Sequence, residues 1–406
     1  MVFTAPICYD PCESDREIFP IPPQSRYNMH KSPPASVLLV LHIALFVPIV
    51  GCSRVANISA PLPVDSATST SAPIAPSGLQ LGYLWQKDSQ NLHPVVGVTG
   101  SARLGDGILP TNERVAVAAA AQGPTAAWAV VLDQDGTLKE IDLATGATSS
   151  LAANISLDSA LVLSPAGTAA ALGSASAHSV MVLSGLPSAP RVSTLMLLGG
   201  ALSGIAVSDA GTVIAGISQP GSASTQVTMI SETNRAVALG NVQGWGGAAF
   251  VPAAVTGSGG EAVVFADSAA ARVSYAANLG GASPDVRVLS DSGLLHTPNA
   301  VGVSANGKWA YVSDSGKPQV VRLSLVEPAS TPSAIACACN PEKLSPQTTD
   351  GIYTLTSGSS GQPSWLLDTR AVQPRTFFVP ALTSASAAAI GQAQRHGVPV
   401  RAGGSR

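Results

Sequence analysis

One residue type recurs along this chain at nearly constant intervals. Gly123, Gly167, Gly211, Gly260, Gly307 and Gly351 are separated by 44, 44, 49, 47 and 44 residues, and each stands just before an apolar segment. A period of this length marks a fold built from repeated supersecondary units. Three units share a fuller phrase: LVLSPAGTAAAL from Leu161, IAVSDAGTVIAG from Ile205 and VGVSANGKWAYVSD from Val301. Each reads as an apolar strand, a Ser, a short polar turn ending in Gly, and a second apolar strand. Glycine and Asn tolerate the positive φ that tight hairpins demand.

No helical period persists from residue 80 onward, so the chain reads as all-β. Ala116–Ala121 would suit a helix by propensity, but Val is interleaved there and Gly-Pro follows, which favours a strand. Around each strand pair the unit supplies two more strands, as in QVVRLSL at 319–325 and the segment 333–338. Four strands in about 45 residues make the blade of a β-propeller. Six units follow one another: 112–154, 155–200, 201–242, 243–294, 295–339 and 340–381. The expectation is a single propeller of six four-stranded blades, alternatively seven, over residues 80–381. An N-terminal piece, 81–85 then 92–98, resembles 364–368 then 376–379, the outer strands of a blade. It either closes the ring against the last blade or stands as an incomplete seventh.

The phrase from Val301 to Leu325, with Tyr311-Val-Ser-Asp314 at its centre, resembles the repeat of the YVTN family of propellers. The segment from Leu132, with its turn Asp142-Leu-Ala-Thr-Gly146, is similar to the outer hairpin of such blades. The resemblance implies the fold. It does not fix function, because similar propellers include surface binding proteins, lactone hydrolases and quinoprotein dehydrogenases.

The front of the chain carries an address. Ser36–Val50 is an apolar run of about 15 residues, shorter than the roughly 20 of a spanning helix but fitting the core of a secretory signal. Met29-His-Lys31 supplies its positive flank. Residues 1–28 instead carry Asp10, Glu13, Asp15 and Glu17, so Met29 is the expected start and 1–28 an upstream extension. The run ends Ile49-Val50-Gly51-Cys52-Ser53, which looks like a bacterial lipobox. The resemblance implies cleavage before Cys52 and acylation of that residue, anchoring the chain in membrane lipid. Residues 29–51 are then the signal and 52–79 a flexible Ser/Thr/Ala/Pro tether. Ser53 favours the outer membrane. The tail, 382–406, is expected to be largely disordered, with Arg395, Arg401 and Arg406 in solvent. Nucleic acid is an unfavoured partner, since 21 basic residues face 24 acidic ones without a cluster.

Few residues invite chemistry. Cys337 and Cys339 sit two apart. In an extended strand both sulfurs share a face with their Cα atoms near the upper limit for a bridge. A local disulfide, favoured by an exported setting, and two small buried residues are both open readings. His296 precedes an inner strand, and Trp245 stands among glycines at the start of a blade; both are candidates for binding at the channel mouth. His93, His178 and His396 show no metal-ligand spacing. Asp133-Gln-Asp135-Gly136 begins like a calcium loop but lacks the later ligands, and an Asp-Gly turn explains it. Gly257–Gly260 precedes no helix, so a phosphate cradle is disfavoured. No metal, cofactor or catalytic set is predicted. The expected function is a lipid-anchored binding module of the cell envelope with an unknown protein, peptide or glycan partner. The alternative is a lactonase-like hydrolase with acidic or His ligands at the channel mouth.

Overall fold

The computed structural model describes residues 79–382, apart from 111–113, 124–125, 197–198, 257–259, 291–292, 328–329 and 357–360. The signal, Cys52, most of the tether, the C-terminal tail, His396 and Gly257 lie outside these residues.

Seven antiparallel sheets follow one another as the blades of a propeller. The inner strands, blades 1 to 7, are Gln80–Gln86, Val115–Gln122, Ala160–Leu163, Ala201–Val207, Trp245–Phe250, Pro298–Val303 and Ser345–Pro346. Six sheets have four strands and blade 1 has three. The seven-blade alternative is therefore the one found, and six is corrected. The N-terminal strands pair among themselves as Gln80–Gln86, Asn91–Val98 and Ser101–Leu104. They hold the inner, second and third positions of their blade, not the outer two. Each of the six periodic units contains one blade, and Ala116–Ala121 lies within the strand Val115–Gln122.

The recurring phrase has a local physical basis. In Ser164, Ser208 and Ser304 the carbonyl accepts from the N–H of Gly167, Gly211 and Gly307, at 3.0, 3.1 and 2.8 Å. The serine hydroxyls accept from the N–H of Ala169, Thr212 and Trp309 at 2.9, 3.0 and 3.0 Å. Each glycine has positive φ, +72°, +86° and +62°, a conformation that a Cβ penalises. Ser and Gly three apart thus close a turn in which one serine satisfies two backbone N–H groups. Blade 5 replaces this turn by a one-turn helix, Ala253–Thr256, which accounts for the 49-residue spacing. Val255 of that helix lies where a Cβ on Gly307 would fall.

The core is divided among the interfaces. Among the described residues each pair of neighbouring blades encloses its own apolar cluster, seven in all, including one between blades 7 and 1 built around Leu81, Val95, Ile352 and Leu366. Ala, Val and Leu dominate, so neighbouring sheets approach closely. Register shifts near the start of the inner strands of blades 1, 2, 4, 5 and 6 bend those strands around the axis.

Candidate functional site: the central channel

The inner strands of all seven blades line one cavity of about 300 Å³. Its wall is apolar over six blades, with segments such as Val117–Ala120, Leu161–Leu163, Ala248–Phe250 and Val301–Val303. Ala119 lines it without belonging to any apolar cluster between blades.

Blade 7 departs from this pattern. Lys343, Ser345, Gln347, Thr348, Thr349 and Thr354 all line the cavity. Lys343 is half-buried, and burial lowers its pKa from the ordinary lysine value while the neighbouring Glu342 draws it back up. Gln347 is 8% exposed and Thr354 1%. Gln347 Oε1 and Thr354 Oγ1 are buried with no hydrogen-bond partner, a costly state for polar atoms unless something else meets them. Ser345 pairs with Thr354 across the ladder, so Lys343, Ser345 and Gln347 stand two residues apart beside Thr354.

The turn after this strand crosses one end of the channel. Thr349 donates its N–H (3.2 Å) and its hydroxyl (3.4 Å) to the carbonyl of Gln122, where the inner strand of blade 2 ends. Thr348 donates to the Asp350 carboxylate. Between blades 7 and 2 lies Gly82 of blade 1, whose φ is +128° and whose Cβ would fall 2.7 Å from Gln347 Cβ. The bare backbone there lets the blade 7 segment lie against blade 1.

Neither aromatic nor imidazole singled out in the sequence reaches this cavity. Trp245 packs at the interface of blades 4 and 5: its indole lies over Gly204 and Gly216, a cross-strand pair in blade 4. A register shift between Trp245 and Ala248 breaks the alternation that would aim it inward. The two glycines after it serve blade 6, since a Cβ on Gly246 would fall 2.5 Å from the Pro298 carbonyl oxygen and one on Gly247 3.1 Å from Ala300 Cα. His296 is likewise placed outside the cavity lining. Its side chain is 46% exposed and its Nδ1 stands 3.8 Å from Asp314 Oδ2. Asp314 is fully buried and accepts from the N–H groups of His296, Thr297 and Gly316 and from Gln319 Nε2 at 2.8–3.1 Å. Asp267 repeats the device in blade 5, accepting from Gln243, Gly244 and Ala270. The Asp that ends the second strand thus ties down the loop entering its blade.

The other candidates have structural partners. Cys337 and Cys339 form a disulfide with Cα atoms 5.0 Å apart. The strand ends at Ala336, and the bend that follows shortens the separation expected for an extended chain. His93 Nδ1 meets the Gly105 carbonyl at 3.0 Å and Nε2 meets Ser89 Oγ at 3.1 Å. His178 Nδ1 lies 2.8 Å from the Gly200 carbonyl. Asp133 pairs with Lys139 at 2.6 Å, and Asp135 accepts from Thr137 N–H within a turn closed by Gly136. Among the described residues no group of three His, Cys, Asp or Glu side chains converges to hold a metal. Lys343, Gln347 and Thr354 escaped sequence reasoning because 340–350 breaks the repeat phrase, with Pro341 and Pro346 where other units are regular. The available signal was a lysine just ahead of an inner strand in a chain with 11% charged residues.

No protein-family model matches the chain, and no curated protein matches it in sequence. Many solved structures resemble the chain, two of them as follows. A functionally unknown protein from Desulfotomaculum acetoxidans is 13% identical with a TM-score of 0.48, covering 74% of this chain and 99% of the other. Hydrazine synthase from Kuenenia stuttgartiensis is 12% identical with a TM-score of 0.42, covering 73% of this chain and 94% of the other.

Proposed function

We propose that this protein is a lipid-anchored, extracytoplasmic binding module of the cell envelope. The lipobox at Cys52 and the tether 52–79 supply the anchor, and the propeller supplies the binding element. The observation that carries the binding reading is the channel, a concave apolar cavity with a few buried polar groups on one side, which is the usual composition of a ligand site. A hydrolase of the lactonase kind requires ligands converging on a cation, and the described residues bring no such set together.

The test has two readouts on the full chain made in a bacterial host with an outer membrane. Alkyne-palmitate labelling is expected to mark the chain, and Cys52→Ala is expected to abolish both the label and recovery in the membrane fraction. Labelling that survives in Cys52→Ala overturns the anchor. Organic extraction of the chain purified from envelopes is expected to release one small molecule per chain. Ala119→Phe, which fills the cavity, is expected to release none. Equal recovery from both proteins overturns the channel as the binding site.

A further inference from the structure

We infer that the channel takes a small amphiphilic carboxylate, with its head at Lys343 and Thr354 and its apolar body along the inner strands of the other blades. The inference deepens the binding-module reading and rests on it. Three observations carry it. The cavity, at about 300 Å³, holds roughly ten water-sized groups at about 30 Å³ each, which is the size of octanoate. The side chains that line it are mainly apolar except on blade 7, so a ligand without an apolar body leaves them uncovered. The polar side carries one lining cation, Lys343, with no arginine on the wall. One ammonium in a low-dielectric site balances one negative charge, whereas a phosphate dianion would leave a charge buried and unpaired.

The two orphaned polar atoms refine the ligand. Thr354 lines the cavity at 1% exposure, and its Oγ1 is buried without a partner. A turn of the Thr354 side chain toward the cavity would let this hydroxyl donate to one carboxylate oxygen while the Lys343 ammonium donates to the other. Gln347 Oε1 is also buried without a partner and is an acceptor, which a bare carboxylate does not satisfy. Its Nε2 is turned to the Pro346 carbonyl at 3.5 Å. A hydroxyl close to the carboxylate meets Gln347 Oε1, so the structure favours a hydroxy acid over the simple acid.

The experiment is a calorimetric titration of the full chain in detergent, with detergent alone as the blank, using octanoate, 3-hydroxyoctanoate and octanol. The expected result is one site per chain, octanoate binding at least about tenfold more tightly than octanol, and 3-hydroxyoctanoate more tightly again. Lys343→Met is expected to remove the preference for the acid, with a thermal melt like that of the wild type showing that the variant is folded. Lys343→Arg is expected to restore the preference, and Gln347→Leu to erase the advantage of the hydroxy acid alone. Octanol binding as tightly as octanoate, or a preference that survives Lys343→Met, overturns the inference. If the three probes fail while envelope-purified chain still yields a neutral molecule, the ligand class is wrong and the binding module stands. If extraction also yields nothing, both fall.

Discussion

Gly216→Ala tests the packing that displaced Trp245 from the channel. A Cβ on Gly216 would fall 2.5 Å from Trp245 Cε3 and 2.8 Å from Cδ2, against an optimum of about 3.5–4.0 Å between carbons. The indole must retreat by about 1 Å from Gly216, and it lies as closely over Gly204, the partner of Gly216 in the sheet. Overpacking of this kind costs about 1–3 kcal/mol. The backbone itself accepts alanine, since Gly216 has no positive φ. Without the indole, alanine is expected to stabilise by about 0.4–1 kcal/mol through the unfolded chain. The effect therefore changes sign between the wild-type and Trp245→Ala backgrounds, with a coupling of about 2–3 kcal/mol. At about 2.1 cal/mol/K per residue, a propeller of about 300 residues loses roughly 3 °C in Tm for 2 kcal/mol. Thermal melts of the four proteins by circular dichroism give the cycle. An equal loss of Tm in both backgrounds refutes the reasoning, because the glycine would then be kept for something other than the indole.

Ser208→Ala leaves the N–H of Thr212 without the hydroxyl it now meets at 3.0 Å, and a loss of about 1–3 kcal/mol is expected in urea unfolding; a change within a few tenths would remove the hydrogen-bond account of the repeated serine. His93 is buried, and burial holds its imidazole below the ordinary 6.5 against the opposing pull of the Gly105 carbonyl and Asp106. The unfolded chain therefore takes up this proton first. Stability is expected to be full above pH 6.5 and to fall as the pH drops below it, and His93→Gln should flatten that limb in melts between pH 5 and 7. The Cys337–Cys339 disulfide predicts that peptide 323–343 from a tryptic digest is two hydrogens lighter before reduction than after, by mass spectrometry. Replacing both cysteines by serine is expected to cost at most about 1.5 kcal/mol, since so short a loop closes with little loss of chain entropy.

What the sequence made legible is what local chemistry decides. The serine whose carbonyl and hydroxyl both close a turn on a glycine of positive φ recurs in blades 3, 4 and 6, and the spacing of the glycines extends the count to six. Blade 1 escaped that count because its first hairpin turns at Lys87–Gln90, with Gln90 at φ +50° and no glycine in the turn. Its strands could be seen but not their rank in the sheet, because rank is set by which neighbours the ring presents. Trp245 was misplaced for a related reason: alternation predicts a side chain's face only while the register holds, and here it shifts within two residues. The polar side of the channel was hard to read because Lys343 is marked only by its charge in a chain poor in charges and nothing local marks Gln347. Their burial is made by blades hundreds of residues away.

Ring closure and the candidate site meet in the same blade. Among the described residues no strand is exchanged between blades 1 and 7, which each pair only within themselves. Closure therefore rests on packing and on side chains. Leu81, Leu84 and Val95 pack on Ile352, Leu366 and Val379. Outside that cluster, Thr99 of blade 1 donates to Asp368 Oδ2 at 2.7 Å, and Arg370 meets both carboxylate oxygens at 3.0 Å. Burial pushes the Asp368 carboxyl up, but the donors from Arg370 and Thr99 outweigh it and hold the pKa below the usual value, so the tie stays charged at neutral pH. At the channel the same blade sends Thr349 past blade 1 to Gln122. Blade 7 thus grips blade 1 at its outer side through Asp368 and spans it at the axis through the turn that follows Gln347. A ligand seated on Lys343, Thr354 and Gln347 binds only where that turn and strand are in place, so by mass action it stabilises the closed ring. The one blade that breaks the apolar pattern of the channel is the one whose position no covalent connection to its neighbour on the closing side secures.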